Sequence, residues 1–139
     1  MTAPRTSTSH TAPAPRRGLC TAHTVVSGLL VATVFVQAAL AGRFFFSGAE
    51  IALHGYLGNG SFTLGLIAVG LALAGRMPPW LLAVTGMTAL LMFVQTGLGY
   101  LGRDELEAAA WHVPLGVLIF GLAMWQFTAS VQVSRRSRS

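Results

Sequence analysis

The chain has 139 residues, of which 53% are hydrophobic and only 9% are charged, and its net charge is +5. A globular protein has roughly 25% charged residues, so this composition excludes an ordinary soluble domain and indicates one domain with bilayer-spanning segments. The arginines are scattered around apolar segments and form no basic face, so we expect no binding to nucleic acid. A lone cysteine, Cys20, excludes an intrachain disulfide, and we expect it to be a bystander thiol at the membrane edge.

Two polar tails flank the apolar part of the chain. Residues 1–20 are rich in serine, threonine, proline and arginine, which predicts a disordered cytoplasmic tail, and residues 133–139 form a second, basic tail. Between them, a transmembrane domain at residues 21–132 is predicted to have four spans, at residues 24–46, 50–74, 80–101 and 106–131. Lipid admits only helices or closed barrels, and these lengths fit helices. The predicted fold class is all-α, an integral membrane four-helix bundle.

The arginines also predict the orientation of the bundle. Seven of the nine lie on the side of the chain termini, and the other two, Arg43 and Arg103, lie on the opposite side. Cytoplasmic segments carry the excess of arginine, so we expect both termini in the cytoplasm and a multi-pass protein of the bacterial inner membrane. Ala39-Leu40-Ala41 resembles a signal-peptidase site, but the repeat described next pairs the first span with the third, so we expect the first span to be retained.

A shift of 58 positions superposes one half of the domain on the other. Identical residues fall in register without a gap, among them Val26, Gly28, Phe35, Val36, Gln37, Leu40, His54, Leu57, Gly58, Phe62 and Leu64. Leucine matches by chance in an apolar chain, but glutamine and histidine are not common there, and both recur. The pattern predicts two tandem two-helix repeats, residues 24–75 and 79–131, related by a pseudo-two-fold axis along the membrane normal.

The recurring histidines are the centre of the candidate site. His54 and His112 lie near the start of the second and fourth helices, so the two-fold relation places them at one depth and lets them face each other across the bundle. Gln37 and Gln95 precede them by seventeen positions. A glutamine carbonyl could accept from the remote ring N–H and fix the tautomer of each imidazole, and neutral imidazole is the form that binds metal.

A glycine follows each histidine on the same helix face. Gly58 and Gly116 lie four positions after the histidines, and the missing side chain leaves a flat gap that suits a porphyrin plane. Together the glutamines, histidines and glycines predict a haem b site in which His54 and His112 are the axial ligands.

The same residues also fit a purely structural role. Histidine and glutamine can hydrogen-bond across membrane helices, and glycine recurs at packing seams for steric reasons, whereas ionisable residues inside a membrane are functional candidates by default. Structural bonding, haem binding and another metal site or proton relay therefore stay open. We interpret His23 as an interfacial bystander, with a second site near the cytoplasm as the lesser alternative, and Glu50 as a solvated loop residue within reach of His54.

The chain resembles a family of small bacterial four-helix membrane proteins with a domain of unknown function. The resemblance covers roughly residues 25–130 and depends on Gln37, Ala41-Gly42, Phe46, His54, Leu57-Gly58, Gln95, His112, Pro114 and Gly116. It implies the fold and no activity. The layout is also similar to one half of haem A synthase and to membrane b-type cytochromes, in which histidines on the second and fourth helices ligate haem. Gly55 follows His54 where the synthase has an arginine, so this likeness does not imply haem A synthesis.

The sequence therefore predicts a small membrane protein that binds haem b between the second and fourth helices for electron transfer, with a membrane redox partner or a quinone. Two protein ligands fill both axial positions of the iron, which suits electron transfer better than oxygen chemistry. The alternatives are a non-catalytic subunit or scaffold with structural His–Gln hydrogen bonds, and a quinone or lipid binder. The sequence contains no nucleophile–base pair and no phosphate-binding loop, so no enzymatic activity is assigned.

Overall fold

The computed structural model describes residues 16–48 and 51–137 and shows four α-helices. They are α1 (Arg17–Ser47), α2 (Ala52–Ala74), α3 (Pro79–Leu101) and α4 (Leu106–Arg136), and the described residues contain no strand. Each helix is long and apolar enough to cross a membrane. The predicted all-α class and the prediction of four helices of membrane-spanning length are confirmed.

The first and last helices are longer than the sequence predicts. α1 begins at Arg17, so residues 17–20 are helical where the sequence predicts a disordered tail, and Cys20 near the terminal end is buried in the bundle. The start of α1 is fixed because the Arg16 N–H donates to the Gly75 carbonyl at 3.0 Å. α4 continues to Arg136, within the predicted second tail. The rest of the predicted first tail, residues 1–15, lies outside the described residues.

The four helices form an antiparallel bundle in cyclic order. α1 packs against α2 and α4, and α3 packs against the same two helices, so α1 is diagonal to α3 and α2 is diagonal to α4. We call the end with the α1–α2 and α3–α4 connections, residues 48–51 and 102–105, the hairpin end. The opposite end, which carries the start of α1, the α2–α3 connection and the end of α4, is the terminal end.

Many large apolar side chains lie on the outside of the bundle, and most of the buried residues are small or polar, although Leu30, Leu81 and Ile119 are fully buried. The exposed set includes Leu29, Phe35, Leu66, Leu90 and Phe93, whereas the buried set includes Ser27, Ala68, Thr85, Thr88, Ala123 and Gln126. A soluble bundle has the opposite pattern, because water favours burial of its largest apolar side chains. Small residues let membrane helices approach closely, so this distribution agrees with a bundle that is surrounded by lipid.

Burial is confined to one half of the bundle. Every buried residue belongs to residues 17–30, 61–92 and 119–136, which we call the terminal half. The hairpin half, residues 31–48, 51–60 and 93–118, contains no buried residue among those described. The candidate site lies in this less tightly packed half.

The two hairpins differ in where the chain reverses. In the second hairpin α3 continues six residues beyond Gln95, and α4 begins six residues before His112. In the first hairpin α1 continues ten residues beyond Gln37, and α2 begins only two residues before His54. The turn is therefore displaced by four residues, about one helical turn. This displacement extends α1, and Phe46 near its end is almost fully exposed.

Candidate functional site

The structure brings His54 and His112 together in the hairpin half. Their ring centroids are 5.9 Å apart and the ring planes make an angle of 59°. The two side chains come from α2 and α4, which are diagonal in the bundle, and both are half-buried. The expected facing arrangement of the two histidines is therefore present.

Each imidazole makes the same hydrogen bond to the helix that precedes it. His54 Nδ1 lies 3.1 Å from the Gln37 main-chain oxygen, and His112 Nδ1 lies 3.1 Å from the Gln95 main-chain oxygen. A carbonyl oxygen only accepts, so Nδ1 must carry the proton in both rings. The neutral tautomer that results has its lone pair on Nε2, and Nε2 has no hydrogen-bond partner among the described residues in either ring.

The glutamines act differently from the sequence-based expectation. The group that fixes each imidazole is the main-chain carbonyl of the glutamine and not its side-chain carbonyl. The Gln95 side chain instead donates through Nε2 to the His112 main-chain oxygen at 2.9 Å, which makes the contact between α3 and α4 reciprocal. Among the described residues the Gln37 amide makes no such bond to the His54 carbonyl, so the two hairpins share the ring contacts but not this amide bond.

The two glycines make room for the glutamines. A Cβ on Gly58 would lie 2.9 Å from Gln37 Nε2, and a Cβ on Gly116 would lie 3.1 Å from Gln95 Nε2. Both distances are shorter than usual Cβ contacts, so glycine at both positions lets the amide group pack closely on the helix backbone, and a side chain there would displace the amide. The expected gap for a porphyrin beside each glycine is therefore occupied by a glutamine amide.

The site contains hydrogen-bond acceptors that have no donor among the described residues. The Oε1 atoms of Gln37 and Gln95 are buried and have no hydrogen-bond partner in the described part of the chain. The unpartnered Nε2 atoms of His54 and His112 add two more lone pairs. Buried acceptors are normally satisfied, so this set of four fits a bound cation, a hydrogen-bond donor or water.

An apolar layer in the terminal half borders this site. Leu30, Met92, Ile119 and Ala123 form a buried cluster across α1, α3 and α4, and partly buried side chains including Phe62 and Leu115 pack against it. The layer closes the inner side of the site, while the half-buried histidines lie in the looser half beyond it.

A second polar cluster lies in the terminal half, and sequence reasoning missed it. His23 is fully buried rather than interfacial, its Nε2 lies 3.2 Å from Thr85 Oγ1, and its Nδ1 lies 2.7 Å from Ser130 Oγ. Gln126 Nε2 donates to Ser27 Oγ at 3.0 Å. These bonds connect α1 to α3 and α4.

A sequence signal for this cluster exists. His23 and Ser27 are four residues apart, as are Gln126 and Ser130, and such pairs lie on one face of a helix. Polar pairs on one face of an apolar span indicate a face turned toward the bundle interior. His23 has no histidine partner in the repeat, and for that reason the repeat did not identify it.

Other candidates contribute little to this site. Within residues 16–48 and 51–137 no three histidine, cysteine or acidic side chains are grouped so that they could bind a metal ion. Glu50, which the sequence places within reach of His54, lies outside the described residues.

A comparison of the chain with protein-family models, curated proteins and solved structures gives no match. The resemblance to the four-helix bacterial family and to haem A synthase therefore stays a prediction.

Proposed function

We propose that the protein binds haem b between His54 and His112 and transfers electrons in a membrane. The observation that carries the proposal is the imidazole pair, with ring centroids 5.9 Å apart on diagonal helices. An iron atom between two imidazoles sets their ring centres roughly 6 Å apart, because it adds two bonds of about 2 Å to the distance from each nitrogen to its ring centre.

The hydrogen bonds of the rings support ligation through Nε2. Both Nδ1 atoms donate to main-chain carbonyls, which leaves the Nε2 lone pairs for a metal. A group that accepts a hydrogen bond from Nδ1–H orients a histidine that ligates a metal through Nε2, and it raises the basicity of that ligand. Haem would supply one-electron chemistry when bound, and His54 and His112 are the residues that would hold it.

A non-catalytic scaffold is the second candidate, and one observation favours it. The bonds between the Gln95 amide and the His112 carbonyl and between the His112 ring and the Gln95 carbonyl tie α3 to α4 without any cofactor. Glutamine amides also fill the space beside Gly58 and Gly116. In this reading the histidines and glutamines only connect helices, as hydrogen-bonding side chains do in membrane bundles.

We also propose the bacterial inner membrane as the location, with both termini in the cytoplasm. The support is the distribution of arginine, with only Arg43 and Arg103 near the hairpin end. A membrane redox partner or a quinone would exchange electrons with the haem. The hairpin end would then face away from the cytoplasm.

The absorption spectrum tests haem binding. Protein expressed with haem supplied and purified in mild detergent should show the sharp reduced bands of a low-spin b-type centre. His54→Ala and His112→Ala should each abolish these bands, since the loss of either ligand breaks six-coordination. His10→Ala is the control, because His10 precedes the described helices and should leave the bands unchanged.

Two results would contradict the proposal. One is a colourless wild-type protein that cannot be reconstituted with haem although it unfolds cooperatively. The other is an unchanged spectrum in His54→Ala or His112→Ala. The first result would favour the scaffold, provided that both variants lower thermal stability.

A further inference from the structure

A pocket whose lining contains neither His54 nor His112 lies on the outside of the bundle. It has a volume of about 350 Å³, lies between α2 and α3 near the hairpin end, and is lined by Ala52, Gly55, Tyr56, Asn59, Tyr100 and Arg103. Tyr56 is largely exposed, which places the opening on the bundle surface. The pocket therefore faces the surroundings of the protein and not the core.

Three side chains of the pocket contact one another. Asn59 Nδ2 donates to the Tyr100 hydroxyl at 2.9 Å, and the Arg103 guanidinium lies over the Tyr100 ring, 5.0 Å from its centroid. A guanidinium Nη2 of Arg103 also lies 3.7 Å from the Cβ position of Gly55, which is an ordinary van der Waals distance, so the arginine packs over this part of α2. These contacts position the three polar groups without a ligand.

The pocket has more donors than acceptors. The Tyr100 oxygen accepts from Asn59, so its own proton is left to donate, and Asn59 has a second N–H. Stacking on a ring face uses none of the five N–H groups of Arg103. No carboxylate of the described residues lies within salt-bridge distance of this guanidinium. An oxyanion is the ligand that such a set of donors recognises.

The repeat-related groove between α4 and α1 lacks all of these groups. A shift of 58 converts Asn59, Tyr100 and Arg103 into Val117, Gly42 and Phe45, and none of these side chains can donate a hydrogen bond. Gly55 and Tyr56 correspond to Val113 and Pro114. Helix packing in a duplicated fold has no need of polar groups in one groove and not in the other, so the difference indicates a ligand specific to the α2–α3 groove.

An apolar surface continues from the pocket toward the terminal half. Phe62 and Phe93 contact each other across α2 and α3, with ring centroids 5.9 Å apart. Leu66 and Phe93 lie seven residues from Asn59 and Tyr100, on the same helix faces, and both are more than half exposed. An anion site followed by exposed apolar side chains matches a phosphate followed by acyl chains.

We propose that the α2–α3 pocket binds the phosphate of a glycerophospholipid through Asn59, Tyr100 and Arg103, with the acyl chains along Phe93 and Leu66. The guanidinium stays charged at any physiological pH, and Tyr100 near the helix end occupies the interfacial level that tyrosine favours. This site is independent of haem, because its residues belong to the outer surface of α2 and α3 and to the connection after α3.

Native mass spectrometry of delipidated protein tests the proposal. The probe is dioleoyl phosphatidylglycerol, and the wild-type protein should retain one molecule. Arg103→Gln should bind it about tenfold more weakly, since a hydrogen bond to a charged group is worth roughly that factor. Arg43→Gln is the matched control, because Arg43 is an exposed arginine in the hairpin half on α1, outside the pocket, and its substitution should leave the affinity unchanged.

Two further probes separate phosphate recognition from other causes. Dioleoylglycerol has the same acyl chains without phosphate and should bind weakly, and inorganic phosphate has no chains and should not displace the lipid. Equal losses in Arg103→Gln and Arg43→Gln would overturn the proposal, as would tight binding of dioleoylglycerol. If Arg103→Gln unfolds, Tyr100→Phe removes one donor and keeps the ring, and an unchanged affinity in that variant would count against the site.

Discussion

The terminal half and the hairpin half of the bundle are built from the same four helices, yet their polar groups are arranged differently. In the terminal half the His23 ring nitrogens and the Gln126 amide nitrogen have side-chain partners on neighbouring helices, and His23 is fully buried. In the hairpin half His54 and His112 are only half-buried, and their second ring nitrogens lack partners among the described residues. Buried side-chain oxygens without a partner among the described residues occur in both halves, on Gln126 and Ser61 in the terminal half and on Gln37 and Gln95 in the hairpin half. The histidines therefore carry the difference, because the His23 ring connects helices through both nitrogens, whereas the His54 and His112 rings each leave one nitrogen for a ligand.

This difference shows why a histidine in a membrane helix has no single meaning. His23 uses both nitrogens within the protein, so its removal affects the packing of three helices. His54 and His112 each donate from Nδ1 to a main-chain carbonyl, and their Nε2 atoms have no partner among the described residues. A metal ligand needs such a free nitrogen together with a fixed tautomer. The apolar layer around Leu30 and Ile119 borders the hairpin half.

The largest expected effect concerns the two ends of the bundle, which should lie on opposite sides of the membrane. Alkaline phosphatase fused after Arg138 should be inactive, because arginine-rich segments stay in the cytoplasm. A fusion in the connection between α3 and α4, residues 102–105, should be active. Immunoblots of both fusions control for expression, and the reverse activity pattern would show that the hairpin end faces the cytoplasm.

A smaller effect is expected when each half loses one histidine. His23→Ala should lower the free energy of unfolding by about 1–2 kcal/mol, since hydrogen bonds between membrane helices are worth roughly 0.6 kcal/mol each, up to about 1.7, and His23 makes two. His54→Ala should have less effect in protein without cofactor, because its ring makes one bond and is half-buried. Denaturation of both variants in the same detergent measures the difference.

The ratio of the two decreases in the free energy of unfolding shows whether the two halves connect their helices equally firmly. If His54→Ala destabilises the cofactor-free protein as much as His23→Ala does, the hairpin half connects its helices as firmly as the terminal half. The scaffold would then account for both clusters. Thr33→Ala serves as a control, because the Thr33 hydroxyl bonds only to a carbonyl of its own helix.

Much of the fold could be predicted from the sequence, because the signals were large. Four apolar stretches of membrane length and a repeat in register predicted four helices and the approach of His54 to His112. The helix ends were harder to predict, because α1 starts among polar residues that hydropathy assigns to a tail. The bond of the Arg16 N–H to Gly75, which fixes that start, is a tertiary contact.

The details of the site were less predictable, for physical reasons. The spacing of seventeen residues between glutamine and histidine predicts that they lie close together. It does not determine which glutamine carbonyl, side-chain or main-chain, accepts the hydrogen bond from the imidazole, since both are available. The space beside Gly58 was assigned to a ligand although a neighbouring amide fills it. The repeat does not predict the terminal cluster, because that cluster is asymmetric and the repeat partner of His23 is Leu81.

The smallest expected effect concerns the glutamine side chain of the second hairpin. Gln95→Leu removes the bond from Nε2 to the His112 carbonyl, which should lower the free energy of unfolding by roughly 0.6 kcal/mol. Gln37→Leu is the matched control, because the described bonds of Gln37 involve its main chain only. The main-chain carbonyl that accepts from His112 Nδ1 survives the substitution. Haem affinity should therefore decrease by much less than the 10–100-fold that typically follows removal of an orienting group. A loss of that size in Gln95→Leu, with thermal stability unchanged, would show that the side-chain amide orients the imidazole after all.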